Sequence, residues 1–541
     1  MSVQLELADI QGNILSAYGR LGFPKGRFLL LNVSDGRAGR TVIDLLRPRV
    51  TTALRWPSER KPYPPGTIYQ QRPKVALNFA FTFRGLLALG VPIRTLRGLP
   101  DEFIDGMAAR ADILGDNHPK PITEAWDPVW CPTTEPGKRV HVLVTLNAQM
   151  NFDGEPVPEL DAITNEIIAL CDATKGGVTL LAGHRGPDPR WQDLSALLAP
   201  TGDGHLQALP TEHFGFVDAI GDPVFQGQVP EEIMPRAVLG QGKLLPDQTW
   251  APLATGEFLL GHPDESQEIA GAAMPLDFSR NGTFFAYRKL HQNVRSFREW
   301  MDQTAVTYAA VMQMGVVEAC ETLRAKVAGR WSDGVPLMAA ATYAEWLDFR
   351  ERRAAAARAD DQATLAAMAR ALVDFTFRSD GHGLKCPLNS HLRRSNTRDM
   401  LDPYLASDDP KKLNGSVLNN RRRILRRGLP YGTHDPEGDD SQEQGIVMLA
   451  GCANLFRQFE FVQQQWMQYG LDFNSGNDTC PIVGNHDADS KYVISSDVAS
   501  GKPPFICSDI PQFVETRGGD YFFAPSMTAL RMISNGLVDP T

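Results

Sequence analysis

Residues 140–183 read VHVLVTLNAQMNFDGEPVPELDAITNEIIALCDATKGGVTLLAG. Val140–Asn147 is rich in Val and Leu and predicts a buried strand. Leu160–Ala173 sets Ile163, Ile167, Ile168 and Leu170 at the spacing of an amphipathic helix. Gly176 and Gly177 end that helix, and residues 178–183 (VTLLAG) resume as a strand. The same alternation recurs along the chain. Arg27–Val33 (RFLLLNV), Gly282–Leu290 (GTFFAYRKL) and Gly445–Ala450 (GIVMLA) predict strands. Val294–Ala328 predicts a long helix and Leu455–Gln468 another. Two halves of similar mixed pattern point to an α+β fold.

The chain has 541 residues, room for three to four domains of ~150 residues or for two larger ones. Hydrophobic residues make up 43% and charged residues 22%, which excludes wholesale disorder and collagen-like structure. A formal net charge of −10 makes nucleic acid an unsuitable main partner. No run approaches the ~18 consecutive apolar residues of a membrane span. The opening MSVQLELADIQGN lacks the basic-then-apolar order of a secretory signal. Seven scattered cysteines form no CxxC, CxxCH or CxxxC, so zinc, iron–sulfur and c-type haem attachment find no support. These features predict a cytoplasmic protein with reduced thiols and no membrane partner. A Gly-, Pro- and Asp-rich stretch over residues 186–212 marks the expected boundary, dividing the chain into 1–205 and 206–541. Tyr343–Leu372, Ala-rich with many charges, predicts a solvated helical insertion. Residues 402–420 predict a polar loop. Residues 434–443 (HDPEGDDSQE) predict an acidic loop without the ligand ladder of a calcium site.

Walker, GxSxG, HExxH and GxGxxG signatures are missing, so any chemistry rests on dispersed residues. Glu212–Pro223 (EHFGFVDAIGDP) sets Asp218 after an aromatic–Gly–aromatic run. Asp218 is either an acid in a shaped loop or a helix-capping or Asx-turn residue. Cys386–Arg398 (CPLNSHLRRSNTR) and Asn419–Gly432 (NNRRRILRRGLPYG) put His391 beside a dense cationic set. Of 54 basic residues, ten fall within Arg393–Arg427: Arg393, Arg394, Arg398, Lys411, Lys412, Arg421, Arg422, Arg423, Arg426 and Arg427. A neutral imidazole among guanidiniums suits a site that takes both a metal centre and carboxylates or phosphates. The alternative is a solvated basic face against the acidic loop. His141, in an apolar strand, predicts a satisfied core residue.

Asp9–Leu15 (DIQGNIL), Leu77–Val91 (LNFAFTFRGLLALGV), Gly256–Glu265 (GEFLLGHPDE), Lys326–Pro336 (KVAGRWSDGVP), Cys386–Arg398 and Arg517–Ser526 (RGGDYFFAPS) follow one another in order. Along nearly the whole chain this series resembles the dye-decolorising peroxidase family. The resemblance implies duplicated ferredoxin-like units with antiparallel sheets and peripheral helices. It implies haem b (iron protoporphyrin IX) in the C-terminal half. Hydrogen peroxide would be the oxidant, and dyes, phenols or other aromatic small molecules the one-electron reductants. His391 matches the proximal iron ligand. Asp218 matches the distal acid of the family's GxxDG loop, here Gly215–Ala219, and Arg426 matches the distal arginine. Arg398 and Arg393 become candidates for haem propionates. Tyr431 stands where fungal relatives carry a redox tyrosine, as a candidate for surface electron transfer.

Three departures from the family pattern stand out. Ala219 replaces the second glycine of GxxDG, and alanine resists the positive φ that glycine permits. Asn454 falls where relatives carry the acid that accepts from the proximal imidazole. Ile446 and Met448 replace the usual Leu/Phe pair beside the haem, and Met there is open to oxidation. The competing reading is a haem-binding or haem-handling protein with little turnover. Oligomerisation and an encapsulating shell are left open.

Overall fold

Strand β1 (Lys25–Val33) is apolar and almost wholly buried, and it leads into helix α1 (Gly36–Leu46). Asp35 caps α1 by accepting from the Arg37 and Ala38 amides. β2 (Val75–Phe81) and β3 (Val142–Ala148) are buried on both faces, in keeping with their mostly apolar sequences. Helix α2 (Glu159–Ala173) starts on Glu159 and Asp161, which favour a helix N-terminus. Just past its end Gly176 takes φ +91°, open to glycine at little cost. β4 (Val178–Leu180) returns beside β1. The resulting antiparallel order, β4–β1–β3–β2, is ferredoxin-like. β5 (Gln192–Ser195) pairs with the start of β1.

The computed structural model describes residues 3–57, 67–218, 221–270, 273–401, 415–435 and 437–538. Most of the polar segment expected over 402–420 lies outside the described residues. In the second half, β6 (Thr283–Gln292), β7 (Leu425–Tyr431), β8 (Gly445–Cys452) and β9 (Val514–Ala524) lie in the order β7–β8–β6–β9. This is the same ferredoxin-like arrangement, so the α+β unit is duplicated. The helix expected over Val294–Ala328 is two helices, α3 (Val294–Met312) and α4 (Val316–Ala328). Gln313 turns left-handed at φ +55° and breaks the run. The Ala-rich stretch forms α5 (Tyr343–Arg358), opened by a Thr342–Glu345 capping box, and α6 (Gln362–Ala371). Both are largely solvated. The helix after β8 is wound as π-helix over Leu455–Glu460 and Val462–Met467.

The two halves meet where β9 pairs with β2 through Phe523 and Phe81. Gln11 stitches the seam. Its Nε2 donates to the carbonyls of Phe79 (2.9 Å) and Pro525 (2.8 Å), and its Oε1 accepts from the Phe79 amide (2.8 Å). One apolar core runs through strands of both halves, and a second packs beneath α3, α4 and the C-terminal loops. The division drawn at residue 205 therefore crosses a small ribbon, Leu198–Pro200 with Leu206–Ala208, and does not separate two cores.

Candidate active site

A cavity of about 900 Å³ lies between β7, β8, the 209–223 loop and the short helix α7 (His391–Ser395). Asp218 reaches it from a loop held by its own backbone. The Val217 amide donates to Ser332 O (3.0 Å) and the Asp218 amide to Pro210 O (2.7 Å). Glu212 accepts from the Phe214 and Phe216 amides (2.8 and 2.9 Å). Among the described residues Asp218 caps no helix. Its Oδ1 lies 3.1 Å from Arg426 and its Oδ2 3.0 Å from Arg20. Burial pushes this carboxyl up, but Arg426 and Arg20 outweigh it and hold the group below its usual range. Ala219 lies outside the described residues.

Arg426 sits on β7, where neighbouring side chains face opposite ways. Arg427 therefore points to the N-terminal turn and donates to Asn13 O and Ile14 O, both at 2.7 Å, and to Asp222 (2.8 Å). The DIQGNIL segment thus braces the strand that presents Arg426. Arg20 was not expected from sequence. The turn that supplies it, Tyr18–Leu21, directly follows that segment.

His391 opens α7 and lines the cavity. Its Nδ1 lies 3.2 Å from Sγ of Cys480, a fully buried cysteine. Asn454, expected at that place, instead caps the π-helix, its Oδ1 accepting from the Arg457 amide at 2.8 Å. Nothing local to His391 announces Cys480, which lies 89 positions along the chain.

The basic segment is not a solvated face, since Arg393, Arg394, Arg398, Arg423 and Arg427 are all buried. Arg393 spends its charge internally on Asp380 (3.0 Å) and Cys386 O (2.6 Å). Arg398 stacks on Phe375 at 3.8 Å and donates to Val373 O and Phe375 O. Neither lines the cavity, against expectation. Arg330 and Arg423 do. Arg330 donates to Gly334 O (2.7 Å), and its Nε has no partner. Arg423 makes only long bonds to Gly242 O (3.3 Å) and Gln241 O (3.4 Å). Among the described residues neither has a carboxylate in ion-pair contact. Burial is the main reason that both guanidiniums drop to about 10.

Comparison with known proteins agrees with this geometry. Residues 9–176 match the model of the DyP dimeric alpha+beta barrel domain. Peroxidase 2 of Mycetinis scorodonius is 28% identical, the alignment covering 98% of this chain and 88% of that protein. The multifunctional dye peroxidase DyP2 of Amycolatopsis sp. is 26% identical over 97% of this chain and 96% of its own. Over nearly its whole length the chain is similar to dye-decolorising peroxidases. A solved dye-decolorising peroxidase in complex with 2,6-dimethoxyphenol has the same fold, with TM-score 0.68 and 22% identity, over 98% of this chain and 100% of that one.

The cavity fits the haem that this similarity implies. Two buried cations without counter-charge are costly alone and are suited to a ligand that brings two carboxylates. Ile446 and Met448 form part of the cavity wall from β8. Tyr431 does not sit at the surface. It is 1% exposed, with the Lys289 ammonium 4.8 Å from its ring centre and its hydroxyl unpartnered. Among the described residues no helix is long and apolar enough to cross a membrane.

Proposed function

We propose that this protein is a dye-decolorising peroxidase and holds haem b in the cavity, with His391 Nε2 as the iron ligand and Arg330 and Arg423 taking the propionates. The observation that carries this reading is the lining of a single cavity. It combines an imidazole, an ionised acid–arginine pair and two buried cations lacking anions. Haem bound there would supply the redox chemistry, coupling two-electron reduction of peroxide to two one-electron oxidations of reductant. The protein's own part is to move protons and place charge. Asp218 takes a proton from hydrogen peroxide and returns it to the departing oxygen. Arg426, always charged, stabilises negative charge as the O–O bond breaks. Cys480 fixes the orientation of the His391 ring. Phenols and other aromatic small molecules are the reductants we assign, by analogy with the relatives. Seven free thiols suit a cytoplasmic location.

Steady-state oxidation of 2,6-dimethoxyphenol and a dye by the haem-loaded protein with peroxide tests the reading. Turnover that depends on peroxide and on Asp218 is expected. A Soret-absorbing protein that binds haem but turns over neither reductant would instead be a haem-handling protein.

A further inference from the structure

We propose that Arg20, brought into the distal pocket by the N-terminal half, is a positioning residue that keeps Asp218 aimed and proton-free for its reaction with peroxide. This rests on the reading of Asp218 as the distal base. Arg20 and Arg426 grip opposite oxygens of one carboxylate, at 3.0 and 3.1 Å, so rotating the carboxyl group breaks at least one pair. The two partners are mounted differently. Arg426 belongs to the β7–β8 ladder, opposite Ala450, and its amide also meets Asp222 Oδ1 at 3.3 Å. Arg20 stands on a one-turn 3₁₀ helix at the cavity mouth, its side chain 44% exposed. That turn is seated on β7 itself, because a Cβ at Gly19 would come within 2.8 Å of Leu429. Arg20 is thus the partner able to let go, freeing Oδ2 to receive a proton while Arg426 stays in place.

The other charges facing Asp218 do not replace it. Asp222, from the same loop, is paired with Arg427 at 2.8 Å. Arg330, after α4, is buried, makes no ion-pair contact with Asp218 and donates to Gly334 O. Burial works against ionisation of Asp218, and the two guanidiniums that touch it oppose that push. Without Arg20 the carboxyl would take up a proton at higher pH, so activity needing the carboxylate would be lost earlier as pH falls.

The test uses haem-loaded protein carrying Arg20→Gln, Arg20→Met or Arg20→Lys, each checked first for haem content by its Soret band. Two rates are followed against pH by stopped flow. One is the reaction with peroxide, and the other is cyanide association, which also requires a proton to leave the incoming ligand. Gln and Met should move the acid limb of both profiles up by about one pH unit, a loss of about tenfold on the acid side, with the neutral plateau little changed. Lys should keep the parental limb. In an Asp218→Asn background Arg20→Gln should add nothing. Parental acid limbs in both neutral variants overturn the proposal for Arg20 alone. An Asp218→Asn profile identical to the parent's overturns the distal-base reading instead.

Discussion

Sγ of Cys480 stands 3.2 Å from Nδ1 of His391. An imidazole that gives Nε2 to iron keeps its proton on Nδ1, so the ring N–H donates and the sulfur accepts. Sulfur is a weaker acceptor than a carboxylate and leaves the ring less anionic. Cys480→Asp should therefore lower the Fe(III)/Fe(II) potential by on the order of tens of millivolts and raise the iron–histidine stretching frequency. Potentiometry and resonance Raman read both. Cys480→Asp with parental values would show that the contact has no electronic effect.

His391→Ala should lose most bound haem or shift its spin state. The visible spectrum of purified protein reports this directly. Normal occupancy with an unchanged spectrum removes His391 from the ligand role.

On the distal side, Asp218→Asn should slow the reaction with peroxide by ~10²–10⁴, the usual cost of losing a general base, while haem stays bound. Arg426→Leu loses a placed cation and should cost on the order of 10²–10³. Rapid mixing with peroxide, followed at the Soret band, separates the two. An Asn variant as fast as its parent at every pH would leave Arg426 as the main distal group.

Arg330 and Arg423 should respond with opposite signs in two measurements. Replacing either with Leu removes a partner for a propionate and should weaken haem retention, measured by transfer to apomyoglobin. The same change relieves an uncompensated buried charge and should stabilise the haem-free protein by about 1 kcal/mol in thermal or denaturant unfolding. Arg398→Leu, away from the cavity, should leave haem retention alone. Equal retention in all three variants would dissociate these arginines from the propionates.

Asp520 offers a stability test remote from the cavity. Burial pushes its carboxyl up to about 6, against the Met107 and Tyr521 amides that it accepts. Unfolded Asp titrates near about 3.9, so the folded state holds this proton more tightly. Its stabilising contribution is complete below about pH 4 and disappears as pH rises through about 6. Asp520→Asn keeps an oxygen acceptor and should gain about 1–2 kcal/mol over the parent above pH 6, and little below pH 4. A variant with the parental pH–stability curve would contradict this.

A strand is legible where a run is buried on both faces, as in β3, because composition alone then carries the signal. The break inside Val294–Ala328 was hidden, since Gln313 has no intrinsic taste for positive φ and only the fold demands it. His391, Asp218 and Arg426 were found through family blocks, and they line one cavity. The roles given to neighbouring residues failed where they depended on direction. Whether a guanidinium in an arginine-rich stretch meets an internal acid, as Arg393 does, or a cavity, as Arg423 does, is decided by packing on residues far away. Tyr431 was assigned to the surface, but the alternation of β7 turns it inward. Asn454 and Cys480 make the same point, because hydrogen-bond partners across a fold leave no local trace.

Gln11 and Pro525 are joined across 514 positions, and that span has a consequence for biogenesis. During synthesis β2 waits with one flank unpaired until β9, far along the chain, has been made. The second core, which backs His391, also draws on Phe505, Phe513 and Val514. A nascent chain therefore has neither its seam nor a finished wall behind His391 until residues 505–525 emerge. A chain that lacks residues 505–525 has no complete pocket to fill.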